Sequence, residues 1–289
     1  MPKRNAPIVA AVDGSEPALN GVRWAAAAAA RQNRPLLLVS VVSPPSIPQF
    51  GSAISQGQAY LDASRAFAEG ALDVARQVAR EEAPNVAESG EVVDGRPALV
   101  LRQLSSRAHL MVLGRRGLGG VRGLLLGSVS TDVSAHADCP VVVVPETPRT
   151  SGPVVVGVDG SPVSAAAIAE AFQQASMLGT VLVAVHTYGG YAGVATFDRI
   201  EQGRRQLAEE ARESLGSQLA GCLGDYPDVT VSSVVTMESP AEQIISSAAD
   251  AQLIVLGSRG RGGFRGLLLG STSQAVLHVA HCPVMIVPG

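Results

Sequence analysis

Residues 114–128 read GRRGLGGVRGLLLGS and residues 257–271 read GSRGRGGFRGLLLGS, with twelve of fifteen positions identical. Each stretch holds six glycines, at 114, 117, 119, 120, 123 and 127 and at 257, 260, 262, 263, 266 and 270. Glycine permits φ > 0 and lets backbone approach a ligand with no Cβ in the way, at a cost in conformational entropy. Successive N–H groups in such turns form an anion-binding nest, and a helix that follows adds its N-terminal dipole. The chemistry implied is phosphate binding. Ser128 and Ser271 fall at the helix start, where a hydroxyl can cap the helix or donate to a phosphate. A P-loop, G-x-x-x-x-G-K-[ST], is excluded because Lys3 is the only lysine in the chain. A dinucleotide fingerprint fits badly, since its glycines should follow the first strand, and here only Asp-Gly-Ser does.

Asp13 and Asp159 close a second pair of matching segments, PIVAAVDGS at 7–15 and PVVVGVDGS at 153–161. Two roles are open to them. One is an Asx-turn or helix cap at a strand-to-helix junction, with Ser15 and Ser161 also available for capping. The other is a carboxylate that accepts hydrogen bonds from a ribose or nucleobase, or helps to hold a metal ion. The duplication also tests for catalysis, because a shared chemistry should recur in both halves. Asp13/Asp159, Ser15/Ser161, Arg116/Arg259, Arg122/Arg265 and Ser128/Ser271 recur, but no histidine does. The expectation is therefore binding without a catalytic residue, with any hydrolysis slow. His278, His281 and Cys282 resemble a metal cluster, yet the first-half counterparts of the histidines are Ala135 and Asp138, so the metal ligands stay unknown. Cys139 and Cys282 each precede proline at the start of an apolar run and read as small core residues.

The elements that carry these residues follow the same order in both halves. Residues 7–12 form a short apolar run, followed by an alanine-rich helix to about Gln32 and the strand LLLVSVV at 36–42. Next come a helix over 59–82, a strand at 91–94, a helix opening at Pro97, the strand LMVLG ending at Gly114, a helix from Ser128 and the strand VVVVP. The second half repeats the pattern, with strands near 154–158, 181–186, 229–236, 253–256 and 284–287. Strands apolar on both faces, joined by helices, make parallel sheets with right-handed crossovers. Each half should be an open, doubly wound, Rossmann-like α/β domain: residues 1–146 and 153–289, with a polar linker at 147–152. In such sheets ligands bind at the carboxyl ends of the strands where strand order reverses, which is where Asp13, Gly114, Asp159 and Gly257 fall.

At 289 residues and 46% hydrophobic content the chain has material for two cores. A net charge of −3 and 3% aromatic residues argue against nucleic acid as a partner, and no run approaches a membrane span. The apolar run after the basic start is cut short by Asp13, so a signal peptide is not expected; the expected location is the cytoplasm.

The spacing Gly114-x2-Gly117-x9-Gly127-Ser128, repeated as Gly257-x2-Gly260-x9-Gly270-Ser271, resembles the ATP-binding signature of the universal stress protein family. The VAAVDGS and VVGVDGS strand ends resemble that family's opening motif. The likeness covers nearly the whole chain as two tandem copies. It implies a five-stranded parallel sheet in each half, in the order 3-2-1-4-5, and one ATP site per domain, commonly with Mg²⁺. Asp13 or Asp159 would lie near the ribose or phosphates, and backbone at Val41 or Val185 would meet the adenine. Gly114, Gly117, Gly127 and Ser128, or Gly257, Gly260, Gly270 and Ser271, would hold the phosphates. It further implies a nucleotide-dependent regulator or sensor in stress response, with an unidentified regulatory protein partner, dimerisation of the chain, and pairing of the last strands between halves. Two departures mark the second copy: His186 replaces Val42, and the loop TYGGYAGVATF bears no likeness to SPPSIPQF.

Overall fold

The computed structural model describes residues 5–44, 53–118, 126–188, 197–261 and 269–289. The chain divides into two compact units, Met1–Thr147 and Pro148–Gly289. The first runs β1 (Ile8–Ala11), α1 (Glu16–Gln32), β2 (Leu36–Val42), α2 (Ala53–Glu82), β3 (Glu88–Asp94), α3 (Pro97–Ser105), β4 (Leu110–Gly114), α4 (Ser128–His136) and β5 (Val141–Val144). The second repeats it as β6 (Val154–Val158), α5 (Pro162–Leu178), β7 (Leu182–Thr187), α6 (Phe197–Asp225), β8 (Val231–Thr236), α7 (Pro240–Ser247), β9 (Leu253–Gly257), α8 (Ser271–Val279) and β10 (Val284–Val287).

Within each unit all strands are parallel. Their order is β3-β2-β1-β4-β5 in the first and β8-β7-β6-β9-β10 in the second, the 3-2-1-4-5 arrangement that the family resemblance implies. The order reverses between the first and fourth strands of each unit, so the loops leaving those strands open side by side. The core is mostly aliphatic: Ile8, Leu36, Leu38 and Met111 in one unit and Leu182, Leu253 and Ile254 in the other are fully buried, with the aromatic Phe172 beside them in the second.

Helix α1 shows how local signals place the site. Ser15 caps it, its Oγ accepting from the Ala18 N–H at 3.3 Å, Pro17 sits in the first turn, and Asn33 ends it in the left-handed conformation with φ 49°. Helix α5 uses Ser161, Pro162 and Gly179 in the same way. Buried alanines at 18, 25, 26 and 29 let α1 lie close on the sheet. Both serines thus take the capping role.

Two boundaries differ from the sequence reading. Helix α2 starts at Ala53, six residues early, because once its core-facing turns are docked each further residue adds a backbone bond at little cost, even across Gly57. Strand β3 starts at Glu88 rather than 91. It is an edge strand, so its polar residues face solvent or pair with α2, as Glu88 does with Arg80 and Arg76; apolar patterning gave no sign of its first three residues.

Glu170 on α5 supplies a pH prediction. Burial pushes its carboxyl above the ordinary range, partly opposed by the Gln174 Nε2–H donating to Oε1 at 2.9 Å. A carboxyl with a raised folded-state pKa contributes stability that is whole below its unfolded pKa, and that is lost as pH rises through the folded value. Glu170→Gln, which keeps the accepting oxygen, should raise the melting temperature at pH 7–8. It should match the parent below about pH 4, read by thermal denaturation across pH. Equal gains at both ends would place the effect elsewhere.

Candidate nucleotide site

In the first unit, the carboxyl ends of β1, β2 and β4 and the starts of α1, α3 and α4 surround a cavity of about 390 Å³, within the range of small-molecule sites. Asp13, Val41, Gly114, Gly117, Gly127 and Ser128, drawn from four separate stretches of chain, all line it. Pro97 and Leu101 of α3 form an apolar wall, and Arg116 lines the cavity with its Nε buried and without a partner among the described residues.

The carboxylate of Asp13 is already engaged. Its Oδ1 accepts from the Ser15 N–H at 3.0 Å and the Ser15 hydroxyl at 2.6 Å, and its Oδ2 accepts from the Leu118 N–H at 2.9 Å. The second unit repeats this: Asp159 Oδ1 accepts from the Ser161 N–H at 3.0 Å, and Oδ2 from the Arg261 N–H at 2.8 Å. The first role considered for these aspartates, a turn at the strand-to-helix junction, is therefore in place, and the same carboxylate also grips the glycine loop.

The signature glycines stand in three different surroundings. A Cβ on Gly114 would stand 2.6 Å from the carbonyl carbon and oxygen of Pro17, so β4 meets the first turn of α1 backbone to backbone. A Cβ on Gly117 would fall 2.1 Å from Asp13 Oδ2, and on Gly260 2.3 Å from Asp159 Oδ2, so these glycines make room for the carboxylate. Gly127 and Gly270 are helix caps in extended backbone, and a Cβ there would meet its nearest atom at 3.4 and 3.5 Å, an ordinary contact. Among the described glycines, positive φ occurs at Gly14 and Gly160 of the Asp-Gly-Ser turns but not at 114, 117, 127, 257, 260 or 270. Close approach, not left-handed backbone, is the reason at 114, 117, 257 and 260. Gly119, Gly120, Gly123, Gly262, Gly263 and Gly266 lie outside the described residues, as do Arg122 and Arg265.

Ser128 and Ser271 are the first residues of α4 and α8, exposed, with Gly127 and Gly270 at the cap positions. Their hydroxyls stand at a helix N-terminus, where the orphan N–H groups and the dipole favour an anion. One turn on, Ser130 Oγ donates to the Gly114 carbonyl at 2.9 Å and Ser273 Oγ to the Gly257 carbonyl at 2.7 Å, tying each helix start to its strand end. Sequence reasoning missed these serines, along with Pro97 and Leu101. The signal was available, since Ser130/Ser273 and Pro97/Pro240 each recur at the 143-residue offset of the glycine loops.

The second unit brings Asp159, Gly257, Gly260, Gly270 and Ser271 together around the same strand ends, with Val185 buried on β7. It differs in detail. His186 is 6% exposed and its Nδ1–H donates to the Val158 carbonyl at 2.7 Å. Ser164 stands where the first unit has Ala18, and its hydroxyl accepts from the Asp159 N–H at 3.2 Å. Arg261 replaces Leu118, and Arg259 is exposed where Arg116 is half-buried. Cys139 and Cys282 are buried, and no group of three or more potential metal-ligating side chains occurs among the described residues. Leu126 and Leu269, the last leucines of the two runs, are buried. No described helix is long and apolar enough to cross a membrane.

The model of the universal stress protein family matches residues 5–145 and again 151–288. Universal stress protein Rv1996 of Mycobacterium tuberculosis is 39% identical over 302 residues, covering 98% of this chain and 95% of the relative. Universal stress protein Rv2005c of the same organism is 36% identical over 296 residues, covering 99% and 98%. Among solved structures, a universal stress protein from Archaeoglobus fulgidus superposes with a TM-score of 0.71 at 21% identity, over 99% of both chains, a likeness of fold.

Proposed function

Because the chain belongs to the universal stress protein family in tandem two-domain form, we propose that it is an ATP-binding regulator with one nucleotide site in each unit. The observation that carries this reading is the first-unit cavity, where all six residues expected at the nucleotide converge beside Arg116, whose buried Nε has no partner among the described residues. That N–H is a donor in want of an acceptor, and a phosphate oxygen would supply one. The phosphates would lie against the loop amides and the N-terminus of α4, with Ser128 donating. The base would rest between Val41 and the α3 wall. The residues fit an anionic ligand of nucleotide size. Mg²⁺ would enter with the nucleotide, held chiefly by its phosphates, and would neutralise their charge.

Binding without efficient turnover follows from the engagement of Asp13. Three hydrogen bonds already converge on the carboxylate nearest the loop, which suits it to holding structure rather than to taking a proton from water. A binder of this kind regulates by presenting its occupied form to a partner, either a second copy of the chain or another protein, in the cytoplasm. The deciding experiment is calorimetric titration of ATP and Mg²⁺ into nucleotide-stripped protein. Two sites per chain, with no ADP formed over the titration, is the expected result. No binding by folded protein would overturn the reading, and steady ADP release would replace it with an ATPase.

A further inference from the structure

We infer that helix α2 carries a docking surface for a second copy of this chain, with the two α2 helices lying antiparallel about a two-fold axis. The surface is separate from the strand-end site and stands whether or not that site takes nucleotide. Tyr60, Phe67 and Val74 are 51%, 58% and 51% exposed, and no other helix among the described residues carries three exposed large apolar side chains. Their spacing of seven puts them on one face. Exposed Ala63 and Gly70 fill the positions between, giving the three-and-four alternation of a coiled-coil seam.

The fold does not need this seam. The buried face of α2 lies elsewhere on the helix, at Ala68, Leu72, Ala75 and Ala79, and α6 of the second unit repeats the first two as buried Ala211 and Leu215 at the 143-residue offset. At the same offset the seam positions 60, 63, 67, 70 and 74 become Gly203, Gln206, Glu210, Glu213 and Ser217, with no apolar side chain among them. One duplicated helix thus packs with a polar outer face and the other keeps an apolar one in water, which is the mark of an interaction surface. On its inner side the Phe67 ring rests against Gly14, 3.0 Å from where a Cβ would stand, so the seam adjoins the turn that carries Asp13.

Side-chain size specifies the occupant. Large residues hold one seam position, at 60, 67 and 74, and small ones the other, at 63 and 70, where a Cβ on Gly70 would meet nothing within 4 Å. Two parallel copies would set Phe67 on Phe67 and Gly70 on Gly70, crowding one layer and leaving a void in the next. Antiparallel copies set large on small: Phe67 over the second copy's Gly70, Val74 over its Ala63, and Tyr60 against its Gln77, whose amide can hydrogen-bond the phenol. The seam residues from Tyr60 to Val74 are uncharged, so self-pairing opposes no like charges across it. The exposed seam offers roughly 500 Å² on each copy, so a pair buries about 1,000 Å², the lower bound for a specific interface. The dimer is therefore weak and reversible, and a face related to itself by a two-fold axis closes at two copies.

The test is sedimentation equilibrium of the full chain, joined to disulfide trapping of the pairing. The parent should show a concentration-dependent dimer. Phe67→Glu, which installs the residue that α6 carries as Glu210, should raise its dissociation constant at least about tenfold. Leu207→Glu, at an exposed apolar residue of α6 outside any such seam, should leave it unchanged. Chains carrying Ala63→Cys together with Val74→Cys should cross-link as dimers when oxidised by oxidised glutathione. Either cysteine alone should not exceed the parent, because its two copies lie about eleven residues apart along the pair, about 16 Å, and a disulfide spans about 7 Å at most. A monomer at every concentration overturns the inference, as does a dimer indifferent to Phe67→Glu or one in which the double-cysteine chain fails to cross-link. Cross-linking by a single cysteine as efficient as by the pair overturns it too, since the helices would not then run antiparallel in this register. Should Phe67→Glu not fold, the cysteine pair alone decides.

Discussion

Replacing Gly117 and Gly260 together by glutamate is expected to abolish ATP binding while leaving both units folded. At each position the first carbon of the new side chain lands on an aspartate oxygen, 2.1 Å away at Asp13 and 2.3 Å at Asp159. The loop must therefore leave the carboxylate. The glutamate then sets a second negative charge against the site where phosphates are proposed to lie. Loss of affinity by about a hundredfold or more is expected from the charge alone. Both positions are exposed and in the loop, so the melting temperature should move little. Calorimetry on the double variant checks the first statement and a thermal melt the second. Retained affinity would separate the glycine loops from the ligand. The two single variants should each leave one site per chain.

Gly114→Ala should do the reverse, damaging the fold before the site. Its methyl would press on the backbone of Pro17 and on the Ala18 nitrogen 2.8 Å away, and backbone cannot rotate aside as a side chain does. The start of α1 would have to shift off β4, opening the junction that also positions Asp13. A cost of about 3 kcal/mol or more is expected, at the upper end for overpacking. In a unit of this size that is a fall in melting temperature of about 6 to 12 °C. Gly127→Ala is the control, in extended backbone with no atom of the described residues nearer than 3.4 Å, and should melt close to the parent. If both substitutions cost the same, packing against Pro17 is not what requires glycine at 114.

These contrasts show where reading the sequence ran out. Repetition of a fifteen-residue stretch marked the loops, and their position after a buried apolar strand placed them at the sheet's carboxyl edge. Glycine density suggested a nest, but identical letters concealed different duties. Gly114 faces α1 backbone, Gly117 faces a carboxylate, and Gly127 caps a helix. The polar start of β3, residues 88–90, and the first turns of α2 escaped because neither carries the apolar periodicity on which such readings depend.

The sequence by itself determined the duplication, the alternation of parallel strands and helices in each unit and the strand ends where the candidate site lies. Apolar runs, serine caps and glycine stops are local signals, and handedness rules convert them into topology. Only the tertiary structure decided what the aspartates touch. The bond from the Leu118 N–H to Asp13 joins residues that are neighbours because β1 and β4 pair side by side. Such a contact uses a backbone amide that every non-proline residue possesses, and so it leaves no mark in the sequence beyond the glycine that makes room for it.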